Sequence, residues 1–168
     1  MTKVKALNRD GKITWCTAKN PGTGTCNHIC HKTENISDEE FQQHVDRYNE
    51  RMNRLLYSNK AGDRMLCAGQ GYGLDILVND YEDAAKEAVA HFGRDKDLDK
   101  LHYDKADRVR IFVAAKGRPQ DRDLFLKDHS WVARKTYVEN CRNREDVRLF
   151  LNDDDESVRE EAQIRLSD

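Results

Sequence analysis

Residues 62–168 repeat themselves at a short period, and that period limits the fold more than any other feature of the chain. Asp80, Asp104, Asp128 and Asp153 recur at intervals of 24, 24 and 25 residues, inside the range of stacked repeat architectures. Five and six residues after each Asp stands an apolar–basic pair: Ala85-Lys86, Val109-Arg110, Ala133-Arg134 and Val158-Arg159. Four residues beyond the apolar member comes Val89, Val113, Tyr137 or Ala162, and three residues before each Asp comes Leu77, Leu101, Phe125 or Phe150. A partial earlier copy reads Arg64-Met65-Leu66-Cys67-Ala68 and runs into GQGYGLDIL.

The cassette predicts helix, turn, helix. Apolar residues four apart share a helix face. A short acidic side chain before that face suits a helix N-cap, where it accepts orphan backbone N–H groups. GQGYG, GRDKD and KGRPQD end the helices, because Gly supplies left-handed backbone and Pro119 stops continuation. One such hairpin cannot bury its apolar face alone, whereas stacked copies can. The expected fold is therefore mainly α: a short right-handed α-solenoid of four to five helical repeats over 62–168, preceded by a small α+β N-terminal cap over 1–61.

The cassette resembles the variant leucine-rich repeats and the related HEAT-like repeats of bacterial proteins, over nearly two thirds of the chain. The short period is nearer the leucine-rich-repeat variant. The resemblance implies a structural ladder in which Asp80 pairs with Lys86, Asp104 with Arg110, Asp128 with Arg134 and Asp153 with Arg159. It fixes architecture and not activity, since members mostly bind other macromolecules. Against the ladder stands the alternative of a row of cations aimed at phosphate, which is weaker where each cation has an acid in reach.

The chain carries 29 basic and 31 acidic residues for a net charge of −2, with 38% hydrophobic and 36% charged residues. This suits a thin, surface-rich repeat protein and argues against a strongly electrostatic nucleic-acid binder. The charge is uneven: residues 1–62 hold 10 basic and 7 acidic groups, and the remainder 19 and 24. No apolar run approaches a membrane span, and MTKVKALNRDGKITW lacks a signal-peptide core, so a soluble, cytoplasmic protein is expected.

The N-terminal third reads differently. KVKALN and GKITWCTA predict a hairpin turning at Arg9-Asp10-Gly11. Cys16, Cys26, His28, Cys30 and His31 follow within sixteen positions. Zinc takes four thiolate or imidazole ligands, and Cys16, Cys26, Cys30 and His31 are the candidate set, with His28 as an alternate. An iron–sulfur cluster on Cys16, Cys26, Cys30 and Cys67 is a competing reading, although the spacing matches neither ferredoxin pattern; unmetallated thiols are the plain one. Ser37 and Glu40 form a predicted capping box opening a helix to about Tyr57, with Phe41, Val45, Tyr48, Met52, Leu55 and Leu56 as its apolar stripe.

No enzyme motif stands out: GQGYG lacks the Lys-Ser or Lys-Thr of a phosphate loop, and no catalytic residue is expected. The leading expectation is a non-enzymatic protein–protein interaction module. Its small size suits an inhibitor or adaptor of the phage or mobile-element kind, anti-CRISPR proteins among them, with a protein or ribonucleoprotein as partner. Trp131, Tyr72 and Phe92 are the candidate anchors, with Arg108, Arg118 and Arg122 as candidate polar contacts. The alternative is a nucleic-acid-binding HEAT-like protein, a duplex cradle of the kind some DNA glycosylases use, which would need unpaired Arg108, Arg110, Arg118, Arg122, Arg142 or Arg144. Weak capping after Leu166 allows an end-to-end dimer.

Overall fold

The structure, a computed structural model, describes residues 37–167 and the backbone of three short strands, Val4–Leu7 (β1), Ile13–Cys16 (β2) and Ile29–Cys30 (β3). The described residues are mainly helical. They divide into two compact units, Met1–Leu77 and Val78–Asp168. No helix among the described residues is long and apolar enough to cross a membrane.

In the first unit β1 lies between β2 and β3 and runs antiparallel to both, with Val4 opposite Cys16 and Ala6 opposite Cys30. The turn expected at Arg9-Asp10-Gly11 lies outside the described residues. Helix α1 (Asp38–Leu56) starts at the capping box: Ser37 Oγ accepts the Glu40 N–H at 3.2 Å, and the Glu40 carboxylate accepts the Ser37 N–H at 2.9 Å. Two orphan donors are thereby satisfied reciprocally. Phe41, Val45, Met52 and Leu56 are buried along one stripe, with Tyr48 packed against it. Helix α2 (Ala61–Gly69) packs on α1. A turn with Gly71 and Gly73 at φ 71° and 68° then leads to the short α3 (Leu74–Leu77). A Cβ on Gly73 would stand 2.6 Å from Leu56 Cδ1, so the left-handed backbone and the close approach both require glycine.

The second unit is built from helix pairs. Helix α4 (Asp83–Phe92) is followed by α5 (Asp95–Leu101), and α6 (Asp107–Ala114) by a 3₁₀ turn (Pro119–Asp121) that runs into α7 (Arg122–Phe125). Helix α8 (Trp131–Asn140) is followed by α9 (Arg144–Arg148) and a 3₁₀ turn (Leu149–Asn152), and α10 (Glu156–Ser167) ends the described chain. The longer helices pack in order, α4 on α6, α6 on α8 and α8 on α10. Equivalent positions fill the core between them. Ala85, Val109, Ala133 and Val158 are buried, as are Val89, Val113, Tyr137 and Ala162, and Leu101, Phe125 and Phe150. Tyr137 lies between Phe125 and Phe150, with ring centroids at 5.3 and 5.8 Å. Each Val, Leu or Phe among them contributes about 1.5–3 kcal/mol on burial, and only because the next helix covers it.

The acidic residue of the cassette does not occupy the N-cap. The helices begin three residues after it, and the N-caps are Glu82, Ala106 and Ser130. The carboxylate instead accepts the backbone N–H two residues on: Asp80 from Glu82 at 2.8 Å, and Asp104 from Ala106, Asp128 from Ser130 and Asp153 from Asp155, each at 2.9 Å. This is the Asx turn, a closure that a short acidic side chain makes with its own backbone. The same turn occurs once earlier with a different residue, where Ser58 Oγ accepts the Lys60 N–H at 3.2 Å. Ser58 thus heads the partial copy containing Arg64, Cys67 and Ala68, all three buried.

Candidate interaction surface

The basic residue six positions after each turn shares a helix face with the residue four further on. Those residues, Ala90, Ala114 and Val138, are buried where one helix meets the next. The cation is therefore directed along the stack, and its carboxylate partner is the Asp of the following copy. Lys86 Nζ lies 2.6 Å from Asp104 Oδ2. Arg110 grips Asp128 with Nε and Nη2 at 2.8 and 3.0 Å, and Arg134 grips Asp153 with both at 2.8 Å. Of the expected pairs within one copy, Asp80–Lys86, Asp104–Arg110 and Asp128–Arg134 are replaced by this inter-copy register, and in Asp153–Arg159 the arginine reaches the backbone carbonyl and not the carboxylate. Within a copy the arginine reaches the turn Asp only at its backbone: Arg110 donates to Asp104 O at 2.8 Å, Arg134 to Asp128 O at 2.7 Å and Arg159 to Asp153 O at 2.6 Å, while Arg110 Nη2 also donates to Asp107 Oδ1 at 2.7 Å.

The ladder is interior. The side chains of Arg110 and Asp128 are 6% and 3% exposed. Hydrogen bonds donated to Asp128 raise the Arg110 pKa against the opposing effect of burial. Burial alone would raise the Asp153 carboxyl, but the Arg134 guanidinium and the Asp155 N–H hold it below its ordinary value. For Lys86, burial is outweighed by the hydrogen bonds it donates to Asp104 and Asp83, which raise its pKa.

A second acidic series opens the shorter helices and has no counterpart in the sequence reading. Asp97, Asp121 and Asp146 stand 24 and 25 residues apart and are all buried. Asp97 accepts the Arg94 N–H and Nε, each at 2.9 Å. Asp121 is held by Arg118 Nε and Nη2 at 2.7 and 2.8 Å, and Asp146 by Arg122 Nη1 at 3.3 Å. The signal was a second period in phase with the first. Ligand atoms of Asp99, His102 and Asp121 lie within 4.8 Å of one another. Arg118 already supplies a cation there, since its Nη1 is 2.9 Å from Asp99 in addition to the fork on Asp121.

The anticipated contact residues separate sharply. Arg118 is buried in this clamp and presents no free guanidinium. Tyr72 is half-buried, its hydroxyl donating to Asn53 Oδ1 at 2.9 Å and its ring edge-on to Tyr48. Arg108 is exposed but pairs with Glu87 at 3.1 Å, and Arg122 pairs with Asp123 at 2.7 Å as well as Asp146. Trp131 and Phe92 are exposed. Because each cation joins one Asx turn to the next, the turns at 102–106, 127–130 and 152–155 line one edge of the second unit. Tyr103, Lys105, Lys127, His129, Trp131 and Asp154 are exposed in or beside these turns. Between the first two turns an open groove of about 620 Å³ is lined by His102, Tyr103, Lys105, Leu124, Lys127 and His129, among others.

Of the cysteine and histidine candidates, Cys26, His28 and His31 lie outside the described residues, and Cys16 and Cys30 are placed only in strand register. Cys67 is buried in the first unit with its thiol 3.6 Å from Met52 O, and burial pushes its pKa up to about 11, which keeps it a thiol. Comparison with protein-family models, with curated proteins and with solved structures found no match.

Proposed function

We propose that the repeats form a short α-solenoid of the HEAT-like or variant leucine-rich-repeat type, and that it works as a non-enzymatic protein-interaction module, an inhibitor or adaptor. One observation carries the reading. Three of the four cations that recur with the repeat, Lys86, Arg110 and Arg134, are consumed by internal ion pairs and the fourth, Arg159, donates to backbone carbonyls, while Tyr103 and Trp131 stand exposed along the turn edge. Amphipathic aromatics with little side-chain freedom are the residues that anchor protein interfaces. A duplex cradle would need that recurring row of cations free for phosphate.

The test is capture of partners from lysate on the immobilised chain at about 0.1 and 0.5 M salt, with and without nuclease, because phosphate contacts weaken steeply over that range. A defined protein retained through both treatments supports the module. Nucleic acid alone, released by salt, would replace it with the duplex-cradle reading. The same proposal carries Cys16, Cys26, Cys30 and His31 as a structural zinc set in the cap. Purified chain should then hold one equivalent of zinc, lost on substituting Cys26.

A further inference from the structure

We infer that the groove between the turns at 102–105 and 127–129 is the docking site for an acidic peptide segment of the partner protein, a statement that rests on the interaction-module reading. The charge in this groove is lopsided. Its carboxylates are already taken: Asp104 by Lys86, Asp128 by Arg110 and Asp123 by Arg122. Lys105 and Lys127, by contrast, make no salt bridge within 4 Å among the described residues and are both exposed, Lys127 acting on Asp123 only from a longer distance. His102 and His129 add imidazole nitrogens at the same wall. His102 Nδ1 is braced by the buried Asp121 at 3.2 Å, and His129 Nε2 stands 3.2 Å from Asp107 Oδ1.

The class of anion follows from three features. Phosphate recognition favours planar arginine forks, and the arginine lining the groove, Arg110, is committed to Asp128 and Asp107. Lysines are point charges that accept a carboxylate equally well. The basic stretch is also short: it covers two turns, a span of about 10 Å at ordinary helix spacing. The next turn along the edge carries Asp153, Asp154 and Asp155, with Glu156 following, which would repel a continuing phosphate backbone. Finally, Leu124 and the exposed ring of Tyr103 give the groove an apolar strip that suits aliphatic side chains interleaved with carboxylates. Two carboxylates on a peptide fit this patch, whereas a nucleic-acid strand outruns it.

The experiment is a titration of the isotopically labelled full chain, followed by amide chemical shifts. The probes are a short blocked peptide of alternating Glu and Leu, its Gln-for-Glu counterpart, and a single-stranded oligonucleotide of similar length. The Glu peptide should move the amides of residues 102–105 and 127–129, and the doubly substituted Lys105→Glu, Lys127→Glu chain should bind it at least about tenfold more weakly. Both lysines are exposed, so the rest of the variant's spectrum should overlay that of the parent. The inference is overturned if the Gln peptide binds equally, if the shifts lie elsewhere, or if the oligonucleotide is the tighter ligand at these residues. Lysate capture with the same variant separates the two levels. A partner held by parent and variant alike sinks the groove and leaves the module standing, while no protein captured by the parent sinks the module itself.

Discussion

The register of the ladder makes a sharp prediction about Arg110. Replacing it with Met keeps most of the side-chain volume and removes the guanidinium. Asp128, 3% exposed, is then left with the Ser130 N–H as its remaining hydrogen-bond donor among the described residues. Removing one member of a buried pair in this way costs about 3–5 kcal/mol. Asp128→Asn retains an acceptor for the Asx turn and should cost less. The informative quantity is the coupling between the two sites. Two charge-assisted hydrogen bonds join Arg110 to Asp128, so a double-mutant cycle with Asp128→Asn should return a coupling of roughly 1.5–3 kcal/mol. The parallel cycle of Arg110→Met with Asp104→Asn should return close to zero, because Arg110 touches only the backbone carbonyl of Asp104, which the substitution leaves in place. Urea unfolding followed by far-ultraviolet circular dichroism gives both cycles. Coupling that falls on Asp104 instead of Asp128 would refute the inter-copy register and restore pairing within each copy.

Other outcomes follow from single sites. Arg159→Met should cost clearly less than Arg110→Met in the same assay, since Arg159 donates to the backbone carbonyls of Asp153 and Asp154 and forks onto no carboxylate among the described residues. Gly117→Ala should destabilise by at least about 1–3 kcal/mol from its backbone conformation alone, with φ at 57° and the new Cβ set 2.1 Å from Asn140 O; an unchanged melting temperature would contradict that turn. Asp153 contributes to acid unfolding through a folded pKa below its unfolded value. Its share of stability is therefore complete above the unfolded carboxyl pKa, near 3.9, and is lost as pH falls through the depressed folded value. Asp153→Asn should flatten the stability profile on the acid side, and an unaltered profile would remove Asp153 from the account.

The repeat was legible because its core positions keep their type. Val89, Val113 and Ala162 are small and apolar, and so reveal the period at once. The capping box at Ser37 and Glu40 was legible for a similar reason, since both partners lie within one turn of sequence. Pairing along the ladder was not. A basic residue six positions after one Asp and eighteen before the next has two candidate partners, and sequence spacing cannot say which way its helix face points. Ser58 escaped because the turn needs an oxygen acceptor and not a charge, so a hydroxyl replaced the carboxylate and broke the sequence pattern. Arg118 looked available because charged residues are usually exposed, and its burial depends on Asp95, Asp99 and Asp121 converging on it from two separate segments.

The ladder also bears on why such short helices hold a single arrangement. The faces that meet are lined by Ala85, Ala90, Val109, Ala114, Ala133 and Val138, small residues that pack closely but carry little directional information. A helix lying on such a face can rotate or slide by a fraction of a turn with modest loss of apolar burial. A buried ion pair adds little net stability over an apolar pair of equal volume, because desolvation offsets the attraction. Its geometry is demanding, however. Arg110 must meet both oxygens of Asp128 while its Nη1 reaches the carbonyl of Asp104, and Arg134 repeats the arrangement one copy on. Any rotation of α6 against α8 breaks the fork and strands two buried charges. The small apolar residues thus supply the attraction between helices, and the buried forks select the one rotation at which they pack. That same rotation brings the turns at 102–105 and 127–129 side by side and so creates the groove between them.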